Sequence, residues 1–234
     1  MKNRYAFYGL RRSGNHAILE WLIQNLGGSG ERTVISHRRL IAVNTAAYIN
    51  EANTFEPVER LYKHCTYADQ NYENLIVSYE DVSLDYILPP TKGYKNIVIV
   101  RDINNLFASR YKRFIDKGHL HESSDMLINE KIVNIWKDHV NAGLNKDAIL
   151  IQFEKWLDSK EYRDEISAIF KCHNYDITDT MTEFGDGSSF SGKIKPSVND
   201  LKNRANQIQL PEIVQERINQ SDIVELRKKL QYID

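Results

Sequence analysis

The sequence predicts an α/β fold of three layers, with a central and mostly parallel sheet covered by helices on both faces. Short apolar runs without polar alternation are typical of strands buried on both faces, and four such runs cover residues 5–10, 74–80, 96–102 and 148–154. Segments with helical spacing of apolar residues lie between these runs. Strands that alternate with helices favour parallel pairing through right-handed crossovers.

The first predicted unit is a strand at 5–10 followed by a helix at 14–26. Apolar side chains of that helix, among them Ile18, Trp21 and Leu22, recur at the spacing of a single helical face. A strand that turns directly into a helix places the helix N-terminus at the carboxyl edge of the sheet, where open α/β folds bind ligands.

The remaining elements follow in order along the chain. A weaker fifth strand is predicted at 32–37, and further helices are predicted at 103–117, 125–143 and 159–172. A stretch rich in Gly and Ser predicts a long surface loop at 183–197. The tail, 198–234, is predicted to form one or two polar helices.

Composition bounds the class of protein. The 234 residues fit one domain spanning 1–234, and 41% hydrophobic with 27% charged residues is ordinary for a soluble globular protein. A net charge of −1 gives no bulk attraction to nucleic acid or to an anionic membrane, so any anion site must be local. The chain has only two cysteines, and its sequence shows no spacing typical of metal ligands, so no metal site is predicted. The sequence also shows no signal peptide and no apolar stretch long enough to cross a membrane, which predicts a cytoplasmic protein. The sequence does not indicate an oligomeric state.

The turn after the first strand is a candidate anion site. Gly9 and Gly14 allow a close approach of the backbone, and a helix N-terminus favours negative charge. Arg12 can present a fork of donors to phosphate or sulfate oxygens, and Ser13 adds a hydroxyl. A strand–turn–helix with solvated arginines and no ligand is the alternative interpretation.

This turn is not a nucleotide-hydrolysing P-loop. Gly9 and Gly14 have the required separation, but Asn15 and His16 stand where that motif needs Lys and Ser or Thr. The lysine for the β- and γ-phosphates and the hydroxyl for Mg²⁺ are both missing. The residues therefore favour an anion site and argue against metal-assisted hydrolysis of a nucleotide.

A second candidate anion site follows the strand at 96–102. Arg101 lies where this strand is predicted to end, and Ser109 follows eight residues later, about two helical turns on. Both side chains can therefore reach the same edge of the sheet as the first turn. The alternative interpretation is an arginine in a structural salt bridge and a serine on a helix surface.

The two sites together resemble those of the PAPS-dependent sulfotransferases, whose donor is 3′-phosphoadenosine 5′-phosphosulfate (PAPS). That family has a turn of the form Pro-Lys/Arg-Ser-Gly-Thr-Thr/x for the 5′-phosphosulfate, and residues 11–16 read Arg-Arg-Ser-Gly-Asn-His. The family also binds the 3′-phosphate with a strand-end Arg and a Ser eight residues later, as at Arg101 and Ser109. The resemblance implies the sulfotransferase fold, which is similar to that of P-loop kinases.

Two further segments carry the resemblance, which spans roughly residues 4–172. Trp136 and His139 match the family's Trp-x-x-His-Val helix. Phe153 stands at the position of the Tyr in the family's Tyr-Glu motif, and Glu154 is retained. The chain departs from the family in its first turn. Arg11 replaces the usual Pro, Asn15 and His16 replace a hydroxyl pair, and Ala17 replaces an aromatic residue that stacks on adenine.

The resemblance implies roles for these residues. Arg12 is expected to stabilise the leaving phosphate, and Glu80 is the first candidate for the general base, with His37 and His64 as alternatives. Glu80 could instead belong to a solvated Glu-Asp pair that caps the next segment. The residues expected to bind the donor are Arg11, Arg12, Ser13, Gly14, Asn15, His16, Arg101, Ser109, Phe153, Ser191, Gly192 and Lys193.

The predicted function is transfer of a sulfuryl group from PAPS to a hydroxyl or amine of a carbohydrate or small-molecule acceptor, releasing the bisphosphate product PAP without a metal. Two alternatives remain open, a P-loop kinase-like phosphotransferase and a non-catalytic protein that binds PAP or PAPS. The acceptor's contacts are expected from loops at 38–72 and 115–130. No basic stripe with interleaved aromatics indicates a nucleic-acid partner.

Overall fold

A computed structural model gives the fold. The structure describes residues 3–27, 33–36, 39–42, 45–51, 73–85, 91–116, 130–172, 201 and 204–234. Its strands are β1 (Asn3–Gly9), β2 (Thr33–Ser36), β3 (Arg39–Ala42), β4 (Thr45–Glu51), β5 (Asn74–Glu80), β6 (Lys95–Val100) and β7 (Ile149–Gln152). Its helices are α1 (Asn15–Gly27), α2 (Ile103–Asp116), α3 (Glu130–Leu144), α4 (Phe153–Asp158), α5 (Lys160–Phe170), α6 (Glu212–Ile218) and α7 (Ser221–Lys229), with a 3-10 turn at Arg204–Gln207.

The strands form one sheet in the order β2-β3-β4-β5-β1-β6-β7. The five strands from β4 to β7 in this order pair in parallel, and β2 and β3 add an antiparallel edge. The prediction of a central, mostly parallel sheet is confirmed. All seven residues of β5 are buried, which explains why the strand reads as a continuous apolar run rather than an alternating one.

Alternate residues of β1 face the two helical layers. Tyr5 and Phe7 belong to a core cluster that includes side chains of α1, α4 and α5. Ala6 and Tyr8 belong to the cluster on the opposite face of the sheet, where Tyr8 packs edge-on against His139 of α3 at 6.3 Å between ring centroids. The period of two along a strand therefore separates the two layers of core.

The prediction of a loop over 38–72 was wrong in part, because β3 and β4 lie within it. β4 pairs with β5 in register from Thr45 opposite Asn74 to Glu51 opposite Glu80. This ladder joins segments that are distant in sequence, so the strand is stabilised by a partner that local sequence does not reveal. Residues 43–44 and 52–72 lie outside the described residues.

Other predicted elements differ in their bounds or lie partly or wholly outside the described residues. The strand predicted at 148–154 ends at Gln152, since α4 begins at Phe153. The described part of the predicted helix at 125–143 begins at Glu130 and ends at Leu144. The loop predicted at 183–197 lies outside the described residues. Among the helices that the structure describes, none has the length and apolar character needed to cross a membrane.

Candidate functional site

The carboxyl ends of three adjacent strands meet at one edge of the sheet. β1 lies between β5 and β6, and these strands end at Gly9, Glu80 and Val100. The first turn, the candidate base and the strand-end Arg101 therefore share the edge where ligands bind in open α/β folds.

The turn from β1 to α1 contains two residues with left-handed backbone. Arg12 has φ of +77° and Gly14 has φ of +87°. The Ser13 N–H donates to Leu10 O at 3.0 Å and closes the turn, and α1 begins at Asn15. Left-handed residues in a turn before a helix are typical of backbone concavities that bind anions. A non-glycine residue at positive φ stores strain, and such strain is concentrated at functional sites.

Phe153 lies under the turn and shapes it. A Cβ on Gly14 would be 2.0 Å from Phe153 Cε2, so this position accepts only glycine unless the ring moves. The Arg101 guanidinium stacks on the Phe153 ring, with Cζ 4.7 Å from the ring centroid. The ring is 1% exposed. Phe153 therefore packs the turn against Arg101, in a cation–π arrangement.

Ser109 of α2 is the meeting point of two arginines. Arg12 Nε donates to Ser109 Oγ at 3.2 Å, and Arg204 Nη1 donates to the same oxygen at 2.7 Å. A hydroxyl has two lone pairs and one hydrogen, so these contacts leave Ser109 with its hydrogen to offer a ligand. Ser109 is 1% exposed and Arg204 is 3% exposed.

Arg101 is fixed by two backbone carbonyls. Its Nη1 donates to Arg12 O at 2.9 Å and its Nη2 donates to Leu201 O at 2.7 Å. Its Nε lies 3.6 Å from Glu154 Oε1. Arg12 is thus the residue that joins the two predicted anion sites, because its carbonyl contacts Arg101 and its side chain contacts Ser109.

Several arginines lie close to the turn and affect Arg12. The pKa of Arg12 is lowered to about 10, by burial first and then by the charges of Arg101, Arg113 and Arg110, while Glu80 opposes the shift. Arg12 stays charged at neutral pH. The cost of holding these like charges together falls when an anion enters, so the cluster fits a ligand with more than one negative group.

Ser13 supplies an independent sign that the turn fits an anion. Its side chain is 1% exposed, and Oγ has no hydrogen-bond partner among the described residues. Buried hydroxyls without a partner are uncommon in folded proteins. An oxyanion bound in the turn would satisfy this hydroxyl.

Glu80 is buried rather than solvated. It is 5% exposed and accepts a hydrogen bond from Asn15 Nδ2 at 2.7 Å, and Arg11 Nε lies 3.8 Å from its Oε2. Asp81 accepts the Arg11 backbone N–H at 2.9 Å and pairs with Arg110. The two carboxylates therefore have different environments, and Glu80 is the one that ends β5 and contacts Asn15 at the start of α1.

The chain matches no family model and no curated protein. Its fold matches the crystal structure of mouse sulfotransferase SULT7A1 complexed with PAP, with a TM-score of 0.51. The match covers 98% of this chain and 89% of the other, at 13% sequence identity. The fold is a sulfotransferase fold. At this identity the match establishes the fold, and function must be argued from the site.

Apart from Glu80, described above, the predicted site residues fall into four groups within the sulfotransferase fold. Arg12, Ser13, Gly14, Arg101, Ser109 and Phe153 lie together around the first turn. Asn15 faces inward, since its Nδ2 donates to both Leu10 O and Glu80. His37, His64, Ser191, Gly192 and Lys193 lie outside the described residues. His16 is half-buried, and the Arg11 side chain is 37% exposed.

Sequence reasoning missed Arg204. It contacts Ser109 across 95 positions of the chain, and nothing in its local sequence marks it.

The two residues of the Trp-x-x-His-Val segment bind backbone carbonyls just beyond the ends of β6 and β5. Trp136 Nε1 donates to Arg101 O at 2.9 Å, and His139 Nε2 donates to Val82 O at 3.0 Å. Within the described ranges, no group of three His, Cys, Asp or Glu could hold a metal ion.

Proposed function

We propose that this chain transfers a sulfuryl group from PAPS to a hydroxyl or amine of a carbohydrate or small-molecule acceptor. The observation that carries the proposal is the convergence of Arg12 and Arg204 on Ser109, beside Arg101 and the first turn. These contacts gather cationic and hydroxyl side chains at one edge of the sheet, which supports the proposal. The match to a PAP-complexed sulfotransferase supports the same ligand chemistry.

The first turn would hold the 5′-phosphosulfate. Arg11, Arg12 and Ser13 offer side-chain donors, while Gly14, Asn15 and His16 lie at the N-terminus of α1 and offer backbone N–H groups. Asn15 would act through its backbone, because its side-chain amide already donates to Glu80 and Leu10. Bound PAPS supplies an activated sulfuryl group on a phosphate leaving group.

The 3′-phosphate would lie near Ser109, with Arg101 and Arg204 as its cationic partners. Both arginines are buried, where a charge-assisted hydrogen bond contributes more than on the surface. A ribose without a 3′-phosphate would leave these groups without an anion, which gives selectivity against ATP and AMP. The predicted loop residues Ser191, Gly192 and Lys193 are proposed to bind the same phosphate, and Phe153 to support the site from beneath.

Glu80 is proposed as the general base. It would accept the proton of the acceptor hydroxyl or amine while that atom forms its bond to sulfur and the bond from sulfur to the 5′-phosphate oxygen breaks. Arg12 would stabilise the negative charge that grows on this leaving oxygen. Asn15 holds the Glu80 carboxylate at 2.7 Å, so the base is oriented before substrates bind.

Two alternatives compete with this proposal. A kinase-like phosphotransferase would need Mg-ATP, and Asn15 stands where the P-loop lysine would be. A non-catalytic binding protein would need the anion sites but not Glu80. The buried and hydrogen-bonded Glu80 favours catalysis. A single domain and a cytoplasmic location remain predictions of the sequence.

Ligand-induced stabilisation tests the donor site. We expect PAP to raise the Tm of the purified chain well above the shift given by 5′-AMP or Mg-ATP, because only a ligand that binds the folded state stabilises it. Arg101→Ala should remove the difference between PAP and 5′-AMP. A larger shift with Mg-ATP would favour the kinase, and no shift with any of the three would contradict both.

Turnover separates an enzyme from a binding protein. The chain is incubated with PAPS and panels of carbohydrate and small hydroxyl or amine acceptors, and formation of PAP is followed. Acceptor-dependent PAP formation that requires Glu80 supports the proposal. Tight PAP binding without turnover on any acceptor would favour the non-catalytic alternative.

A further inference from the structure

Three consecutive residues at the end of β6 each accept hydrogen bonds from a side chain of α3 or of the C-terminal segment. Val100 O accepts a hydrogen bond from the Tyr232 hydroxyl at 3.1 Å, and Arg101 O accepts one from Trp136 Nε1 at 2.9 Å. The Asp102 carboxylate accepts two from Arg227 of α7, from Nε at 2.9 Å and from Nη2 at 3.3 Å. The C-terminal segment therefore holds both residues that flank Arg101, namely Val100 and Asp102.

The pair between Asp102 and Arg227 is bidentate and buried. Asp102 is 8% exposed and Arg227 is 7% exposed. Replacing a buried ion pair by apolar side chains is often neutral or stabilising, so net stability is a weak explanation for such a pair. Its two parallel hydrogen bonds fix the direction of both side chains, which is the stronger reason to place it beside a binding residue.

The pair also affects the electrostatic environment of Arg101. Burial lowers the pKa of Arg101, and the carboxylates of Glu154 and Asp102 oppose this shift, so both carboxylates act on the Arg101 charge. An Asp102 without a cationic partner would oppose a phosphate that approaches Arg101. Arg227 supplies that partner.

We propose that Arg227 is a positioning residue of the 3′-phosphate site, which acts by fixing Asp102 and by cancelling its charge next to Arg101. The inference rests on the proposed function, in which Arg101 binds the 3′-phosphate of the donor. Arg227 itself contacts Asp102 and not the ligand. Its effect should therefore be confined to the part of the affinity that the 3′-phosphate contributes.

Arg163 provides a matched control within the same chain. It is also a buried arginine, 5% exposed, on the helix α5. It donates to the backbone carbonyls of Trp156 at 2.7 Å and of Leu157 at 3.3 Å. None of these residues belongs to the proposed 3′-phosphate site. Arg163→Met removes a buried guanidinium that donates to the backbone of α4.

The measurement is the ratio of two dissociation constants, that of 5′-AMP divided by that of PAP, determined by calorimetry on the full chain. This ratio isolates the 3′-phosphate. We expect Arg227→Met to lower it by roughly ten-fold or more, since small displacements of a positioned charge have effects of this size. Arg163→Met should leave the ratio within about two-fold of wild type even where it lowers Tm.

Two further variants separate the effect of contact geometry from the effect of charge. They also test the inference if Arg227→Met does not fold. Arg227→Lys keeps the charge but loses the two-pronged contact, so we expect a smaller fall in the ratio. The double variant Asp102→Asn with Arg227→Met removes both charges, and it should recover part of the ratio that Arg227→Met loses. An unchanged ratio in both Arg227 variants would overturn the inference.

Arg101→Ala distinguishes failure of the inference from failure of the proposed function. A lowered ratio in Arg101→Ala with an unchanged ratio in the Arg227 variants refutes the positioning role alone. An unchanged ratio in Arg101→Ala means that Arg101 does not bind the 3′-phosphate, and the role of Arg227 then falls with it.

Discussion

The side-chain amide of Asn15 donates a hydrogen bond to the Glu80 carboxylate over 2.7 Å and so joins the start of α1 to the end of β5. The same nitrogen donates to Leu10 O at 3.1 Å. Gly9 makes room for this arrangement, because a Cβ there would lie 2.0 Å from Asn15 Oδ1. Asn15 is thus a partner of the candidate base, and its exchange for a hydroxyl residue would remove that contact.

Asn15→Asp should change the pH dependence of turnover. Two carboxylates at this distance hold one proton between them, so the acid limb of the kcat/KM profile should move to higher pH by about one unit or more. The dissociation constant of PAP should change by less than about ten-fold, because the backbone N–H of residue 15 is kept. A pH profile that coincides with wild type would show that Asn15 does not contact the base.

Glu80→Gln should remove turnover and keep donor binding. The amide cannot accept a proton, and loss of a general base costs about 10²- to 10⁴-fold. PAP affinity, measured by calorimetry, should remain close to that of wild type. Loss of turnover together with loss of PAP binding would indicate a structural role for Glu80.

Gly14→Ala should destabilise the chain far more than Gly93→Ala. Both glycines have positive φ, +87° and +86°, so both substitutions strain the backbone. A Cβ on Gly93 meets nothing within 4 Å, whereas one on Gly14 meets the Phe153 ring. We expect a loss of about 1 kcal/mol for Gly93→Ala and about 2 to 4 kcal/mol for Gly14→Ala. Urea unfolding measures both, and equal losses would contradict the contact with Phe153.

His139 should make the fold less stable in acid. Burial lowers its pKa from 6.5 to about 4, although the bond to Val82 O and the charge of Asp81 oppose the shift. The unfolded chain therefore binds a proton between pH 6.5 and about 4 that the folded chain does not, and stability falls as the pH falls through this window. The loss from pH 7.5 to pH 5 should be about 2 kcal/mol.

The test of this prediction compares wild type with His139→Asn by urea unfolding at the two pH values. The variant is expected to be less stable overall, since it leaves space in a packed site. Its stability should nevertheless depend less on pH by about 2 kcal/mol. The same pH dependence in both proteins would exclude His139 as its source.

Arg12→Gly should separate stability from activity. The left-handed backbone and the crowding by other arginines both disfavour Arg12 in the folded state. We expect the free energy of unfolding to stay within about 1 kcal/mol of wild type or to rise, because glycine relieves both effects even though the hydrogen bond to Ser109 is lost. Turnover should fall by about 10² or more, because the donor to the leaving oxygen is gone. Lys171→Gly, at a helix end with φ of +55°, is the control for backbone relief alone.

The parallel core of the fold could be predicted because its strands are buried on both faces. β5 and β6 lie within one residue of their predicted starts, since burial gives each strand a run of consecutive apolar residues. β3 and β4 could not be predicted in the same way. β3 pairs with β4, and β4 pairs with β5. A local apolar run does not indicate which distant strand will be the partner.

The site could be predicted where motif and geometry coincide. Arg101 and Ser109 were recognised by their spacing on one strand end and one helix, and the structure brings both to Arg12. Arg204 and Arg227 had no comparable signal, because their partners lie 95 and 125 positions away. Asn15 was predicted to bind the donor, and only the position of β5 beside β1 reveals that its side chain contacts Glu80.

The anion site is built from segments far apart along the chain. Arg12 comes from the first turn, Ser109 from α2, and Arg204 and Arg227 from beyond residue 200. Contacts of such high sequence separation form late in folding, after long loops have closed. A nascent chain on the ribosome would therefore complete the proposed donor site only after Arg204 and Arg227 emerge. Binding of PAP would then report completed folding of the whole chain, rather than of the N-terminal half that carries the recognisable motifs.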